Sequence, residues 1–183
     1  MELTDEIKDI VSTAEGTPEV KERYTKRLES GKLTRIEDDV SHFCAYFFPY
    51  DTTTKRVFIV AHKKSGLWLS PGGHIEPGEA LFATLTREIQ EELGIVNPLP
   101  KDSKPLLLSV TDIKHDTRAC KVHFDMWYFL PTDGSDFHID SDEFHETRWV
   151  LIDEARNLLE DENNLKAAIA FKNSKLGIPI LVG

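Results

Sequence analysis

The sequence has little cysteine, no long apolar run and fewer basic than acidic residues. Two cysteines, Cys44 and Cys120, are too few for a framework of several disulfides, and with the acidic start MELTDEIKDIV they favour the reducing cytoplasm. No apolar stretch approaches the roughly 20 residues that span a bilayer, so we expect no membrane partner. With 22 basic and 32 acidic residues the net charge is −10, which excludes general nucleic-acid binding by charge alone.

The remaining composition is that of one globular domain. Of the 183 residues, 40% are hydrophobic and 30% charged, so the chain can bury a core. Residues 1–38 are predicted to form two helices, the second with Thr17 as N-cap, Pro18 at its first position and Gly31 as its stop. The sequence leaves three roles open for these two helices: they could close over a cleft, pack on the core or form a homodimer interface.

From residue 39 the pattern changes to strands interleaved with a few helices, which predicts an α+β or an α/β sandwich. The predicted strands are SHFCAYFFPY, KRVFIVAH, GLWLS, PLLLSVTDI, KVHFDMWYFLP and ETRWVLI. The predicted helices are GEALFATLTREIQEELGI, DEARNLL and NNLKAAIAFKN, while PGG is predicted to be a turn. The chain is thereby divided into a helical extension, 1–38, and an α/β domain, 39–183, which ends in the apolar tail GIPILVG.

Three glutamates on one predicted helix point to chemistry. Glu88, Glu91 and Glu92 stand at i, i+3 and i+4, so they share a face. Such neighbours repel by roughly 0.2 to 0.5 kcal/mol per pair unless a cation lies between them. Carboxylate oxygens are the ligands that Mg²⁺ prefers, and Mg²⁺ usually also binds substrate phosphates. An apolar stripe about a quarter turn away predicts that the helix buries one side and holds the acids at the lip of a cleft.

A solvated, glutamate-rich surface helix would explain the acids alone. It does not explain why glycines and other charged residues stand at fixed spacing around them. Any one residue type occurs at a given position with a frequency of about one in fifteen, so seven specified positions would match by chance with a probability on the order of 10⁻⁸. The segment GHIEPGEALFATLTREIQEELGI, residues 73–95, resembles the signature of the Nudix hydrolases at every position: G, five residues, E, seven residues, then R-E-aliphatic-x-E-E-x-G-aliphatic.

The resemblance implies a Nudix-like α/β/α sandwich with a mixed sheet, and a pyrophosphohydrolase. Its expected substrate is a small molecule of the nucleotide type, a nucleoside diphosphate linked to another group, such as a nucleoside triphosphate, a nucleotide sugar or a dinucleotide. Mg²⁺ is the expected cofactor, with Mn²⁺ as a substitute. The metal-binding positions implied by the resemblance are Glu88, Glu91, Glu92 and the backbone carbonyl of Gly72. Glu79 and Arg87 are implied to support the glutamates.

Water is expected to attack phosphorus while one carboxylate takes its proton. Within the resembling family this base is sometimes a motif glutamate and sometimes a glutamate of a later loop. In this chain the loop DSDEFHETRW offers Glu143 and Glu146, for which solvation of the loop is an equally good explanation.

Candidate substrate-binding residues lie outside the motif. Alternation along KVHFDMWYFL puts His123, Asp125 and Trp127 on one strand face, a mixture suited to holding a base or ribose. A half-buried strand under a helix explains them equally well. Trp68 could stack on a substrate or pack in the core, and Lys63 could assist phosphates or belong to a solvated loop.

Two other functions compete with hydrolysis. Isopentenyl diphosphate isomerase has a related fold but needs a reactive cysteine and a histidine-rich metal set, and the surroundings of Cys44, HFCAYFF, do not resemble its cysteine motif. Cys44 is more simply explained as a buried thiol. A non-catalytic nucleotide sensor or regulator on a Nudix fold is the other alternative, although such modules usually lose a catalytic glutamate and this chain has all of them.

Overall fold

One mixed sheet of seven strands organises the chain in a computed structural model, which describes residues 2–96, 99–113 and 119–174. In these ranges the helices are α1 Leu3–Thr13, α2 Pro18–Glu29, α3 Leu81–Leu93, α4 Ile152–Ala155 and α5 Glu162–Asn173. The strands are β1 Ser41–Asp51, β2 Arg56–His62, β3 Trp68–Leu69, β4 Gly72–His74, β5 Leu107–Asp112, β6 Val122–Pro131 and β7 Phe144–Leu151.

The sheet is built around the parallel pair of β1 and β6. Its strand order is β3-β2-β1-β6-β5, with β4 also paired to β1 and β7 also paired to β2, and all pairs other than β1 with β6 are antiparallel. The parallel pair runs in register from Ser41 opposite Val122 to Tyr50 opposite Pro131. Because both central strands are long and apolar, they are covered on both faces.

Alternate side chains of the central strands enter two separate cores. Phe43 and Phe124 pack on the side of α1, α2 and α3, whereas Phe48 and Trp127 pack on the side of α4 and α5. Helices therefore cover both faces of a mixed sheet, which confirms the predicted α/β/α sandwich with its N-terminal helices.

The two N-terminal helices pack on the core that they share with α3. Ile7 and Tyr24 are fully buried there, and the Tyr24 hydroxyl donates a hydrogen bond to the Asp125 carbonyl at 2.7 Å. The Glu6 carboxylate of α1 accepts a hydrogen bond from the backbone N–H of Leu81, the first residue of α3, at 3.1 Å. Of the three roles left open by the sequence, packing on the core is the one that these contacts describe.

Two predicted elements differ from the structure. The PGG segment is not a simple turn, because Gly72–His74 forms β4 and pairs with β1. Glycine is required at 72, since its φ is +135° and a Cβ there would lie 2.4 Å from the Ala45 carbonyl oxygen. DEARNLL forms only the single turn α4, after which Leu159 bridges to Trp68. The predicted tail GIPILVG lies outside the described residues.

Candidate active site

Arg87 and Glu79 hold the start of α3 to the turn that precedes it. Arg87 donates from Nε to Glu79 Oε1 at 2.8 Å and from Nη2 to Glu79 Oε2 at 3.1 Å. The Thr84 hydroxyl also donates to Glu79 Oε2, at 2.7 Å. Burial tends to raise the pKa of Glu79, but the hydrogen bonds from Arg87 and Thr84 outweigh it and lower that pKa below its usual value. Glu79 is therefore an ionised anchor for the guanidinium.

The same guanidinium aligns two more carboxylates along α3. Its Nη1 lies 2.7 Å from Glu88 Oε1 and 2.9 Å from Glu91 Oε2. Its Nη2 donates to the His74 carbonyl at 3.0 Å, which also ties α3 to β4. The Glu88 side chain is 12% exposed and the Glu91 side chain 58% exposed. One of these carboxylates is thus mostly enclosed, and the other is open to solvent.

Glu92 lies inside the protein, at 2% exposure. An interaction with the Gly72 backbone partly opposes the rise in the pKa of its carboxylate, and its Oε2 is buried without a hydrogen-bond partner among the described residues. The prediction that all three acids lie at the lip of a cleft is therefore wrong for Glu92. The reason is the helical period, because Glu92 follows the fully buried Leu85 by seven residues, which returns it to nearly the same face.

The enclosed carboxylates are costly to ionise without a cation nearby. Burial raises the pKa of Glu88 to about 7 against the opposing charge of Arg87, and the charges of Glu91 and Glu143 raise it further. Burial, and then the charge of Glu88, raise the pKa of Glu92 well above its usual value. A divalent cation among these oxygens would offset both effects, and the unpartnered Glu92 Oε2 supplies a ligand atom for it.

Glycine at 73 leaves the space that the Glu88 carboxylate occupies. A Cβ on Gly73 would lie 2.4 Å from Glu88 Oε1, much closer than atoms can approach. Gly73 is also paired with Ala45 of β1, so the neighbouring strand restricts any backbone shift. The carboxylate of Glu88 therefore lies directly against the backbone of β4. The carboxylate oxygens of the site form an all-oxygen donor set, which fits Mg²⁺.

The loop before β7 is attached to the end of α3. Its Asp140 N–H donates to the Glu92 carbonyl at 3.1 Å. Lys63 holds the same loop twice, through Nζ to the Ser141 carbonyl at 2.6 Å and through its backbone N–H to the Glu143 carbonyl at 2.9 Å. In the structure Lys63 thus holds the loop in place. Its ammonium group, which was predicted to assist phosphates, donates a hydrogen bond to the loop instead.

The two loop glutamates have different surroundings. Glu143 is exposed, and it lies within electrostatic range of the buried acids, because its charge raises the pKa values of both Glu88 and Glu92. Glu146 lies within β7 rather than in a loop, and it forms an ion pair with Arg148 at 2.6 Å. Of the two, Glu143 is the one whose charge acts on both buried acids.

The candidate pocket strand β6 has both of its faces covered. Trp127 is 1% exposed and its indole N–H donates to Ser109 Oγ at 2.8 Å. Asp125, also 1% exposed, accepts from Ser109 Oγ at 3.1 Å and from Thr111 Oγ1 at 2.5 Å. Burial raises the pKa of Asp125 to about 8 against these hydrogen bonds. The enclosure of Trp127 and Asp125 argues against the substrate contacts predicted for them.

Trp68 is half-buried beside the core on the side of α4 and α5, and it already has a cationic partner. The Arg148 guanidinium lies over its ring, 4.8 Å from the centroid. A substrate base could stack on the indole only if Arg148 moved from this cation–π contact.

A group of histidines near β4 was missed by reasoning from the sequence. The rings of His42, His74 and His123 lie with centroids 4.6, 5.0 and 5.1 Å apart. Burial, followed by the charges of His123 and His42, lowers the pKa of His74 to about 2, so this ring is neutral at ordinary pH. No sequence motif links these residues, because strand register alone brings them together.

The fold and the carboxylate site together define a Nudix hydrolase. The family model described as NUDIX domain matches residues 40–171, so the chain belongs to the NUDIX family. It is a pyrophosphohydrolase of that class, and enzymes of this family generally use divalent metal ions.

Similar proteins include bis(5'-nucleosyl)-tetraphosphatase [asymmetrical] of Rattus norvegicus, which is 29% identical over 132 residues, 69% of this chain and 85% of the rat protein. Among solved structures, a C. elegans Ap4A hydrolase binary complex is 17% identical with a TM-score of 0.56, over 71% of this chain and 94% of that one. The E. coli dihydroneopterin triphosphate pyrophosphohydrolase is 20% identical with a TM-score of 0.54, over 70% of this chain and 93% of that one. The two structures establish likeness of fold.

No helix among the described residues has the length and apolar character needed to cross a membrane.

Proposed function

We propose that this enzyme hydrolyses a pyrophosphate bond in a nucleoside polyphosphate, with Mg²⁺ as its cofactor and Mn²⁺ as a substitute. One observation carries the proposal: Glu92 is enclosed with an unpartnered carboxylate oxygen, beside Glu88 and Glu91, which a single guanidinium aligns. The similarity to the rat bis(5'-nucleosyl)-tetraphosphatase supports a substrate with several linked phosphates.

The residues that would hold the ion are Glu88, Glu91 and Glu92, with the Gly72 carbonyl as a further ligand. When bound, a divalent ion neutralises charge that develops on the phosphate oxygens and lowers the pKa of water. Arg87 and Glu79 keep the carboxylates in place, since the guanidinium contacts Glu79, Glu88 and Glu91 at once. Their role is one of positioning.

The chemical step is attack of water on one phosphorus. A new P–O bond forms to the water oxygen, the bridging P–O bond breaks, and the bridging oxygen leaves on the second phosphoryl group. A carboxylate takes the proton of the attacking water. We assign this proton to Glu143, because it is exposed and within electrostatic range of Glu88 and Glu92, whereas Glu146 is paired with Arg148. The products are a nucleoside phosphate and the phosphorylated remainder.

The two free thiols, Cys44 and Cys120, fit a reducing compartment, and we propose the cytoplasm as the location of the enzyme.

A substrate panel tests the proposed function. Dinucleoside polyphosphates, nucleoside triphosphates, nucleotide sugars and ADP-ribose are incubated with the enzyme and Mg²⁺ or Mn²⁺, and products are separated by chromatography. We expect turnover of at least one nucleoside polyphosphate, its loss on addition of a chelator, and a loss of about 10²-fold or more in Glu92→Gln, because this substitution removes a metal ligand. The exposed Glu160→Gln is the matched control. Tight binding of a nucleotide without product over hours would instead support the sensor.

A further inference from the structure

Four side chains with nitrogen or sulfur donors meet at the edge of the sheet where β1 and β6 begin. The parallel register sets His42 directly opposite His123. The antiparallel strand β4 ends there at His74, which pairs with Cys44, two residues from His42 and on the same face of β1. Cys120 precedes β6 and completes the group. Three separate strands and one connecting segment therefore contribute one donor each.

The separations of the donor atoms suit a small tetrahedral ion. His74 Nε2 lies 3.4 Å from His123 Nε2, and Cys120 Sγ lies 3.5 Å from His42 Nε2. All four donor atoms lie within 4.8 Å of one another. Zinc–nitrogen bonds of about 2.0 to 2.1 Å and zinc–sulfur bonds of about 2.3 Å in a tetrahedron place ligand atoms roughly 3.3 to 3.8 Å apart. Two separations already match, and since none exceeds 4.8 Å, no other pair needs to shorten by more than about 1.5 Å.

Outer hydrogen bonds orient two of the rings. His42 Nδ1 lies 3.0 Å from the Asp38 carbonyl oxygen, which can only accept, so Nδ1 carries the hydrogen and Nε2 presents its lone pair toward Cys120. His123 Nδ1 lies 3.4 Å from the Tyr46 hydroxyl, with Nε2 directed toward His74. A ring that uses one nitrogen for an outer hydrogen bond and the other for the ion is the usual arrangement of metal-binding histidines.

We propose that His42, His74, His123 and Cys120 form a second metal site, selective for Zn²⁺ or a similar transition-metal ion. The mixed nitrogen and sulfur donors differ from the all-oxygen glutamate site, so the two sites select different ions. They also lie on opposite faces of β4, because Gly73 faces Glu88 and the next residue, His74, points the other way. Binding releases the Cys120 proton to solvent. Four protein ligands make the site a closed, structural one that fastens the segment before β6 to β1 and β4.

A second group of donors overlaps this one but is less suited to an ion. Cys44, His123 and Asp125 also lie within 4.8 Å of one another. Asp125 Oδ2 accepts from two hydroxyls, Ser109 and Thr111, and only Oδ1 has no hydrogen-bond partner among the described residues. Cys44 is fully buried in the strand. The group also offers only three donors, whereas His42, His74, His123 and Cys120 together supply the four that a tetrahedral ion needs.

Cobalt substitution tests the proposal on the full chain. After treatment with a chelator and removal of the chelator, the protein is titrated with Co²⁺ and the absorption spectrum is recorded. We expect one equivalent to give the intense visible bands of tetrahedral cobalt with a thiolate charge-transfer band in the near ultraviolet, both displaced by Zn²⁺. Cys120→Ser should lose the thiolate band and His42→Ala the tetrahedral bands. His145→Ala, an exposed histidine elsewhere, should keep both, as should Glu92→Gln.

Several outcomes would overturn the site. One is the absence of these bands in the wild-type chain, and another is their loss in Glu92→Gln but not in Cys120→Ser. Retention in Cys120→Ser together with loss in Cys44→Ala would assign the thiolate to the other group. X-ray absorption at the zinc edge of wild-type protein needs no variant, and there we expect one sulfur and three nitrogen ligands. A first shell without sulfur would contradict the proposal. Either result leaves the proposed hydrolase function untouched.

Discussion

The guanidinium of Arg87 and the carboxylate of Glu79 form a two-point ion pair, with Nε to Oε1 at 2.8 Å and Nη2 to Oε2 at 3.1 Å. Its remaining nitrogen, Nη1, contacts both Glu88 and Glu91. Because the pair is planar and two-pronged, it fixes where Nη1 points and hence where these two carboxylates lie.

Arg87→Lys should impair catalysis although the positive charge is kept. A lysine ammonium cannot make the planar two-point contact with Glu79 and also reach Glu88 and Glu91. We expect a loss of about 10- to 100-fold in turnover or in metal affinity. Steady-state kinetics over a range of Mg²⁺ concentrations measures both. Arg148→Lys, which alters an exposed ion pair with Glu146, is the control, and equal effects of the two substitutions would contradict the argument.

Gly73→Ala should weaken metal binding more than it weakens the fold. The new Cβ would displace the Glu88 carboxylate, whose Oε1 lies 2.4 Å from the Cβ position. We expect at least about a 10-fold rise in the Mg²⁺ concentration needed for half-maximal activity. Gly16→Ala is the matched control, since its nearest neighbour would be Leu108 Cβ at an ordinary 3.4 Å. Unchanged Mg²⁺ dependence in Gly73→Ala would show that the carboxylate has room to move.

Glu143→Gln and Glu146→Gln should have unequal effects on kcat. Glu143 is close enough to the buried acids to raise their pKa values, while Glu146 is paired with Arg148. Loss of the general base lowers kcat by about 10²- to 10⁴-fold, so we expect this loss for Glu143→Gln only. Single-turnover rates at saturating Mg²⁺ distinguish loss of the base from loss of the metal. A larger loss in Glu146→Gln would reverse the assignment.

Glu6→Ala should destabilise the protein through helix α3. The Glu6 carboxylate accepts the hydrogen bond of the Leu81 N–H at 3.1 Å, while the N-cap residue Ala80 has no side chain that can do so. Loss of an N-terminal acceptor costs about 0.5 to 2 kcal/mol. Urea unfolding followed by circular dichroism gives this difference in free energy of unfolding. Glu160→Ala, at an exposed position, should change it little, and equal stability of the Glu6→Ala protein would show that α1 does not cap α3.

Much of the fold could be predicted because its signals are local. Helical spacing and the Thr17 N-cap mark α2, whose Val20 N–H donates to Thr17 Oγ1 at 3.3 Å. Strand alternation likewise marks β1 and β6. The PGG segment was predicted as a turn because the contact that makes it a strand, between Gly72 and Ala45, joins distant parts of the chain.

The sequence by itself determined the carboxylate motif, because the period of the helix sets Glu88, Glu91 and Glu92 on one side of α3. The tertiary structure decided which of these acids are enclosed. Glu92 is buried, with one oxygen unpartnered, because β4 and β1 pack against the face of α3 that it shares with Leu85. The tertiary structure alone also assembled His42, His74, His123 and Cys120, since the register of strands far apart in the chain is set by core packing and not by any local pattern.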